Sequence, residues 1–339
     1  MTTPRDLVKK AVEFDRPSRV PLQLWFLPWA EEHYPRELRA IREAYPDDIV
    51  SAPCITKSGL LPDPPERYRT GVFVDEWGCI FENAQSGLIG QVHKPLIADW
   101  GDLDKLRTPD HYLGLDRGGI DAFCRAEERF VLAGVWFRPF ERLQFLRTTE
   151  TLYMDLAERR PELFELLGRV HAFNCAQAEV WAQTGVDALC IMDDWGAQSS
   201  LLIAPALWRE VFKPLYRDYI AIARRAGKYV FFHSDGYILD IIPDLVELGV
   251  HALNAQIFCM GIEPLAAKFR GRITFWGEVD RQHLLAFATP AEVARAVREV
   301  HARLSDGGGG VIGQCEFGAG ARPKNVEAVF RTWREIGGG

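Results

Sequence analysis

His233 and Asp235 stand two residues apart at the end of one apolar run, and Cys315 ends another such run near the C-terminus. Imidazole, carboxylate and thiolate from different strands could hold a divalent metal with one position left open. An open position is where a water or a substrate thiol binds and loses its proton. The same residues also fit a histidine hydrogen-bonded to a carboxylate beside an unrelated buried thiol, and spacing leaves both readings open. Asp193 and Asp194 are adjacent. They could bind a cationic or N–H-bearing substrate or shift each other's pKa for acid–base work. Equally, one could cap a turn while the other pairs with Arg138. Glu278 and Asp280 could complete a metal shell, act as acid and base, or order a loop. Arg138 could clamp a substrate carboxylate or pair with Glu141. Trp25, Trp29, Trp136, Trp195 and Trp276 could wall an apolar pocket or serve as core, and Asn254 and Gln256 offer amides to orient a substrate.

These residues need a scaffold that gathers them. Apolar runs near Val20–Trp25, Ile49–Ala52, Phe130–Phe137, Ala188–Asp193, Tyr229–His233, Ala252–Gln256, Ile273–Gly277 and Val311–Cys315 read as buried strands. Amphipathic segments alternate with them: Pro161 to Thr184, Pro205 to Ala226, Asp240 to Leu248, Ala291 to Leu304 and Lys324 to Ile336. Thr289-Pro290-Ala291-Glu292 is a capping box with Pro at the first helical position. Alternating helices and short apolar strands predict a parallel sheet, and eight strands fit a closed (β/α)8 TIM barrel. No Gly-rich phosphate loop follows an early strand, as a dinucleotide-binding doubly wound sheet would need. A β-hairpin insertion, about residues 71–96, follows the second strand, so one barrel domain over 1–339 is expected. Barrel chemistry sits at the C-terminal strand ends. Trp25, Arg138, Asp193 to Trp195, His233 to Gly236, Asn254, Gln256, Glu278 and Cys315 all fall there.

Composition excludes several classes. The 339 residues are 47% hydrophobic and 26% charged, which suits a folded chain. A net charge of −7 without a basic run argues against nucleic acid as a partner. The longest uncharged stretch, Leu248 to Ile262, is too short and polar to span a bilayer. The first residues carry no apolar signal core, and seven irregularly spaced cysteines suit free thiols. A cytoplasmic, membrane-free protein acting on a small molecule is expected.

Several stretches together resemble the uroporphyrinogen decarboxylase superfamily. They are Phe232-His233-Ser234-Asp235-Gly236, Ile242 to Val250, Leu253-Asn254 and Thr274-Phe275-Trp276-Gly277. Asp75-Glu76-Trp77-Gly78, Asp193-Asp194-Trp195-Gly196 and Pro323-Lys324-Asn325-Val326 add to the likeness, which covers nearly the whole chain. The resemblance implies a (β/α)8 barrel. That superfamily also contains zinc-dependent, corrinoid-linked methyltransferases acting on methanol, methylamines or aromatic methyl ethers. The decarboxylases carry a Met-Arg-Gln-Ala-Gly-Arg segment after the first strand, whose arginines hold the substrate's carboxylates. Here Leu24 to Ala30 has no arginine, and an apolar mouth cannot balance a polycarboxylate. The methyltransferase branch has a His-x-Cys pair and a Cys ten residues before an Asn. This chain has His233, Asp235 in place of the first Cys, and Cys315 ten residues before Asn325.

The resemblance therefore implies zinc held by His233, Asp235 and Cys315. Asp193, Asp194 and Glu278 would be catalytic, with Gln256, Arg138, Trp25, Asn254 and Trp195 around the substrate. No Asp-x-His-x-x-Gly corrinoid-binding segment occurs, so a methyl-corrinoid would arrive on a separate protein. Two alternatives stand beside methyl transfer: a metal-free decarboxylase of a porphyrinogen or other carboxylated ring, and a non-catalytic barrel that binds a tetrapyrrole or a corrinoid protein. Superfamily members are often dimers, and a homodimer is an expectation here.

Overall fold

The apolar runs become eight parallel strands in the computed structural model, which describes residues 2–61 and 65–337. They are β1 (Leu22–Phe26), β2 (Ile49–Ser51), β3 (Phe130–Phe137), β4 (Ala188–Met192), β5 (Tyr229–Ser234), β6 (Ala252–Ala255), β7 (Thr274–Trp276) and β8 (Val311–Phe317). Strands pair in chain order from β2 to β8, and β8 returns to β1 with Leu22 opposite Gly313 and Phe26 opposite Phe317. The architecture is the expected (β/α)8 barrel. Its seam between β1 and β2 is joined by carboxylates: Leu22 N–H donates to Asp48 and Leu24 N–H to Asp47, at 2.7 and 2.6 Å.

Side chains alternate across each strand. Ile49, Phe130, Leu132, Ala188, Cys190, Phe231, Ala252, Trp276 and Ile312 fill the barrel interior. The N-terminal helix, Pro4–Val12, plugs the bottom with Val8, Ala11 and Val12. Opposite-facing residues such as Leu24, Val131, Leu189, Phe232 and Leu253 join the larger core under the outer helices.

The helices follow the sequence signals closely. Thr289 and Glu292 form the capping box of Pro290–Leu304, and Pro161–Ala182 runs unbroken. The segment expected as one helix over Pro205 to Ala226 is two, Pro205–Val211 and Lys213–Arg225. Pro214 has no N–H to continue the first helix, so the chain restarts at Phe212. No helix among the described residues is long and apolar enough to cross a membrane.

The insertion is larger than a hairpin. Residues 71–74, 80–83 and 91–94 form a three-stranded antiparallel sheet. A short ladder, 55–56 with 59–60, precedes it. The sheet leans on the helices after β3. Trp77 packs edge-on to Phe173 at 5.1 Å and Phe81 to Phe145 at 5.1 Å, while the buried Arg142 side chain donates to Asp75.

Candidate active site

The site is built where β4 and β5 end. β4 leads into Asp193-Asp194, and β5 carries His233 and then Asp235. Gly196 and Gly236 bring the two loops into backbone contact. A Cβ on Gly196 would lie 2.4 Å from the Gly236 carbonyl carbon, and Gly236 has a φ of +78°. Only glycine fits both places. Gly196 N–H donates to the Asp235 carbonyl at 3.0 Å, and Asp235 N–H donates to Asp194 Oδ1 at 2.9 Å.

This contact gathers Asp194, His233 and Asp235, whose ligand atoms all lie within 4.8 Å of one another. His233 Nε2 is 3.3 Å from Asp194 Oδ1 and 3.8 Å from Asp235 Oδ1. Its other nitrogen, Nδ1, lies 2.6 Å from Asn254 Oδ1. Asp235 Oδ1 is buried without a hydrogen-bond partner. Burial works against a charged His233, yet the hydrogen bond and charge of Asp194, helped by Asp235, raise its pKa to about 9. Burial also works against a charged Asp194, but His233 holds its pKa below the ordinary value. A proton on His233 thus balances carboxylates that a divalent cation could balance instead. The donor set fits such an ion: two carboxylates, one imidazole nitrogen with its tautomer fixed, and an orphaned oxygen facing the ring.

Arg281, which sequence reasoning missed, is the counter-ion beside this group. It pairs with Asp235 Oδ2, with Glu316 at 3.1 Å and with Glu278 at 3.5 Å. Its signal was its place three residues after Glu278 in the β7 loop. Burial pushes Glu278 up to about 8 against the pull of Arg281, with Asp235 and Glu316 adding to the rise. Glu141 was named only as a partner for Arg138, and its carboxylate comes within 3.4 Å of that side chain. Burial raises the Glu141 pKa, Arg138 opposes this, and the charges of Asp194 and His233 act on it as well.

Several expected residues stand elsewhere. Cys315 is not among the gathered ligands. On β8 the residues 311, 313, 315 and 317 face outward: a Cβ on Gly313 would press on Trp333 of the last helix, and Val311, Cys315 and Phe317 lie in the outer core. Burial holds the Cys315 thiol well above its usual pKa. Asp193 is fully buried and does not face the site. It accepts the N–H groups of Phe140 and Glu141 at 3.0 and 2.8 Å and the Tyr216 hydroxyl at 2.6 Å, which caps the helix Pro139–Arg147. Trp195 is buried behind it, stacked on Phe140 at 3.9 Å. Neither is among the gathered ligands. Asp280 caps the backbone of Gln282 and His283.

The remaining residues surround the triad. Trp25, whose ring lies 5.4 Å from that of His233, meets Trp136 and Trp276 edge-on and forms an aromatic floor. Gln256 shares a cleft of about 150 Å³ with Glu278 and Arg281. Arg138 and Glu141 line a cavity of about 570 Å³ on the other flank, roofed by the insertion.

Comparisons with known proteins agree with this architecture. The family model for uroporphyrinogen decarboxylase (URO-D) matches residues 73–336. A methyltransferase from Methanosarcina mazei superposes with a TM-score of 0.67 over 99% of each chain, at 16% identity. At that identity the likeness is one of fold. A chitinase from Chromobacterium violaceum reaches a TM-score of 0.41 at 10% identity, over 93% of this chain and 99% of its own. A family 10 endo-xylanase from Gloeophyllum trabeum also reaches 0.41, at 11% identity, over 94% and 98%. Neither bears on the site. No curated protein matches the chain.

Proposed function

The chain belongs to the uroporphyrinogen decarboxylase family, and from that premise we propose that it is a metal-dependent methyltransferase. It would move a methyl group between a corrinoid, carried on a separate protein, and a small thiol or O-methyl compound. The observation that carries this reading is the convergence of Asp194, His233 and Asp235, with Asp235 Oδ1 unpartnered beside the ring. Zinc is the ion proposed, held by these three residues rather than by Cys315. When bound, it would supply Lewis acidity, lowering the pKa of a thiol or polarising an ether oxygen.

The chain's own residues would prepare that chemistry. Asn254 would keep the His233 Nε2 lone pair turned toward the carboxylates. Arg281 offsets part of the negative charge that Asp235, Glu278 and Glu316 bring together. Glu278, with a pKa of about 8, would carry a proton to or from a bound substrate near neutrality. Gln256 and Arg138 would orient the substrate from opposite flanks, and the floor of Trp25, Trp136 and Trp276 excludes water from below.

The test is elemental analysis of chelator-free protein, alongside methyl transfer from methylcobalamin to a small thiol. Near-stoichiometric zinc is expected in the parent chain and in Cys315→Ala, and its loss in His233→Ala and Asp235→Ala. Protein that stays metal-free with added zinc, yet consumes a carboxylated ring, would replace this reading with decarboxylation.

A further inference from the structure

The insertion's sheet has two free edges, and they are built differently. Gly71–Val74 lies at one edge and Gln91–Lys94 at the other, with Ile80–Asn83 between them. Sheet edges that stay unpaired are guarded by charge, proline or a bulge. Gln91–Lys94 has such guards: Gln91, His93 and Lys94 are exposed, and its register to the middle strand shifts between Ile80 and Phe81. Gly71–Val74 has none. The stretch Thr70-Gly71-Val72-Phe73-Val74 carries no charge and no proline, and its ladder to Ile80–Asn83 is regular.

Hydrogen-bond parity fixes what the unguarded edge offers. Asp75 N–H donates to the Cys79 carbonyl at 2.9 Å. From there the hydrogen-bonded pairs step back by two, to Phe73 with Phe81 and Gly71 with Asn83. The N–H and C=O groups of Val72 and Val74 therefore project from the free side, and no other described backbone group bonds to them. The two valines are 63% and 59% exposed. They lie on the face opposite Phe73 and Phe81, whose rings stack at 4.8 Å. A Cβ on Gly71 would meet nothing within 4 Å, so the space beside the start of the strand is open.

We propose that this edge pairs with the same edge of a second copy of the chain, antiparallel about a two-fold axis at Phe73, joining two insertion sheets into one. In this register Val72 and the partner's Val74 exchange both backbone hydrogen bonds, and symmetry repeats the exchange. The valines become cross-strand neighbours on the exposed face. The flanks select a second copy over an unrelated strand. Residues before the strand are basic, Arg67 and Arg69, and those after it are acidic, Asp75 and Glu76. Antiparallel pairing about Phe73 sets Thr70 opposite the partner's Glu76, so each basic flank runs beside an acidic one. Arg69 is placed to answer it: its side chain is 70% exposed, with Glu66 no nearer than 4.0 Å. The uncharged centre keeps like charges away from the axis. Phe73 and Phe81 line the cavity under the insertion, so the joined sheet backs one wall of the cavity in each copy.

The experiment is sedimentation of the full chain from about 1 to 100 µM, the range in which a small interface assembles, with residue-resolved amide exchange at both ends. Twice the mass of a single chain is expected at the upper end. The amides of Val72 and Val74 should exchange about tenfold or more slowly there than in the dilute protein. Val74→Pro removes one outward N–H and leaves the ladder to Ile80–Asn83 intact, so it should be monomeric throughout. Val72→Lys changes an exposed side chain and should also be monomeric, which keeps the test open if the proline disturbs the insertion. Arg69→Glu should weaken the dimer by about tenfold. A monomeric parent, a dimer that survives Val72→Lys, or a dimer in which Val72 and Val74 exchange as fast as in the dilute protein would each overturn the proposal.

Discussion

The Nδ1 atom of His233 lies 2.6 Å from Oδ1 of Asn254, and the Asn254 amide nitrogen donates to the carbonyl of Trp276. That second bond settles which way the amide points. Its oxygen must face the ring, so Nδ1 carries the hydrogen and Nε2 is left facing Asp194 and Asp235. Asn254→Leu is expected to lower zinc affinity by about 10–100-fold, the usual cost of losing a ligand's orienting partner. Competition with a chromophoric chelator measures this. An unchanged affinity would mean that ring packing against Trp25 alone orients His233.

Cys315→Ala is expected to leave zinc content as it is and to cost about 1 kcal/mol of stability, the effect of a small void in a packed core. The thiol lies in the outer core between β8 and the last helix. Elemental analysis and urea denaturation of one preparation give both quantities. Loss of zinc would return the thiol to the ligand set and require β8 to slip its register by one residue.

What the sequence made legible follows from burial. Parallel strands covered on both faces read as continuous apolar runs, so all eight were found, and their ends pointed to His233, Asp235, Asn254 and Glu278. Facing was harder. Cys315 lies ten residues before Asn325, as in the methyltransferases, but β8 extends two residues further to Phe317. Cys315 is thus inside the strand, where alternation turns it outward. Asp193 and Asp194 looked equivalent in sequence, and strand parity sends them to opposite sides of β4's end. Arg281 escaped notice because it sits on a loop, where no periodicity marks a facing, and Glu141, at a helix start, was legible only as the partner of Arg138. In the insertion the division of residues 71–83 into two strands was not legible, because the turn at 75–79 interrupts a single mixed pattern.

Asp47 predicts a pH-dependent fold. Burial lifts its pKa from 3.8 to about 6 while it accepts the Leu24 N–H that helps close the barrel seam. A carboxyl raised in the folded state binds its proton more tightly there than when unfolded. Stability should therefore fall as pH rises from about 4 to 6, by at most about 3 kcal/mol at ~1.4 kcal/mol per unit. Asp47→Asn keeps the acceptor and removes the titration. It should match the parent near pH 4 and exceed it at pH 7, as read by denaturant midpoints. Parallel pH profiles for the two proteins would remove Asp47 as the source.

Arg142 predicts how firmly the insertion is held. Its guanidinium joins Asp75 and Glu76 while lying over Trp77 and Phe145, and the side chains of Arg142 and Asp75 are 9% and 4% exposed. Arg142→Met leaves Asp75 with only the N–H groups of Trp77 and Cys79 as donors and no counter-ion. Breaking a buried pair from one side costs about 3–5 kcal/mol. Because the sheet of residues 71–94 docks through few such anchors, the cost should appear as local opening before the barrel unfolds. Amide hydrogen exchange is expected to rise across residues 71–94 while β4 to β8 keep their protection. Asp75→Asn added to Arg142→Met should recover part of the loss by removing the stranded charge. Faster exchange throughout the barrel, with no excess in the insertion, would make Arg142 a residue of the global core instead of the insertion's anchor.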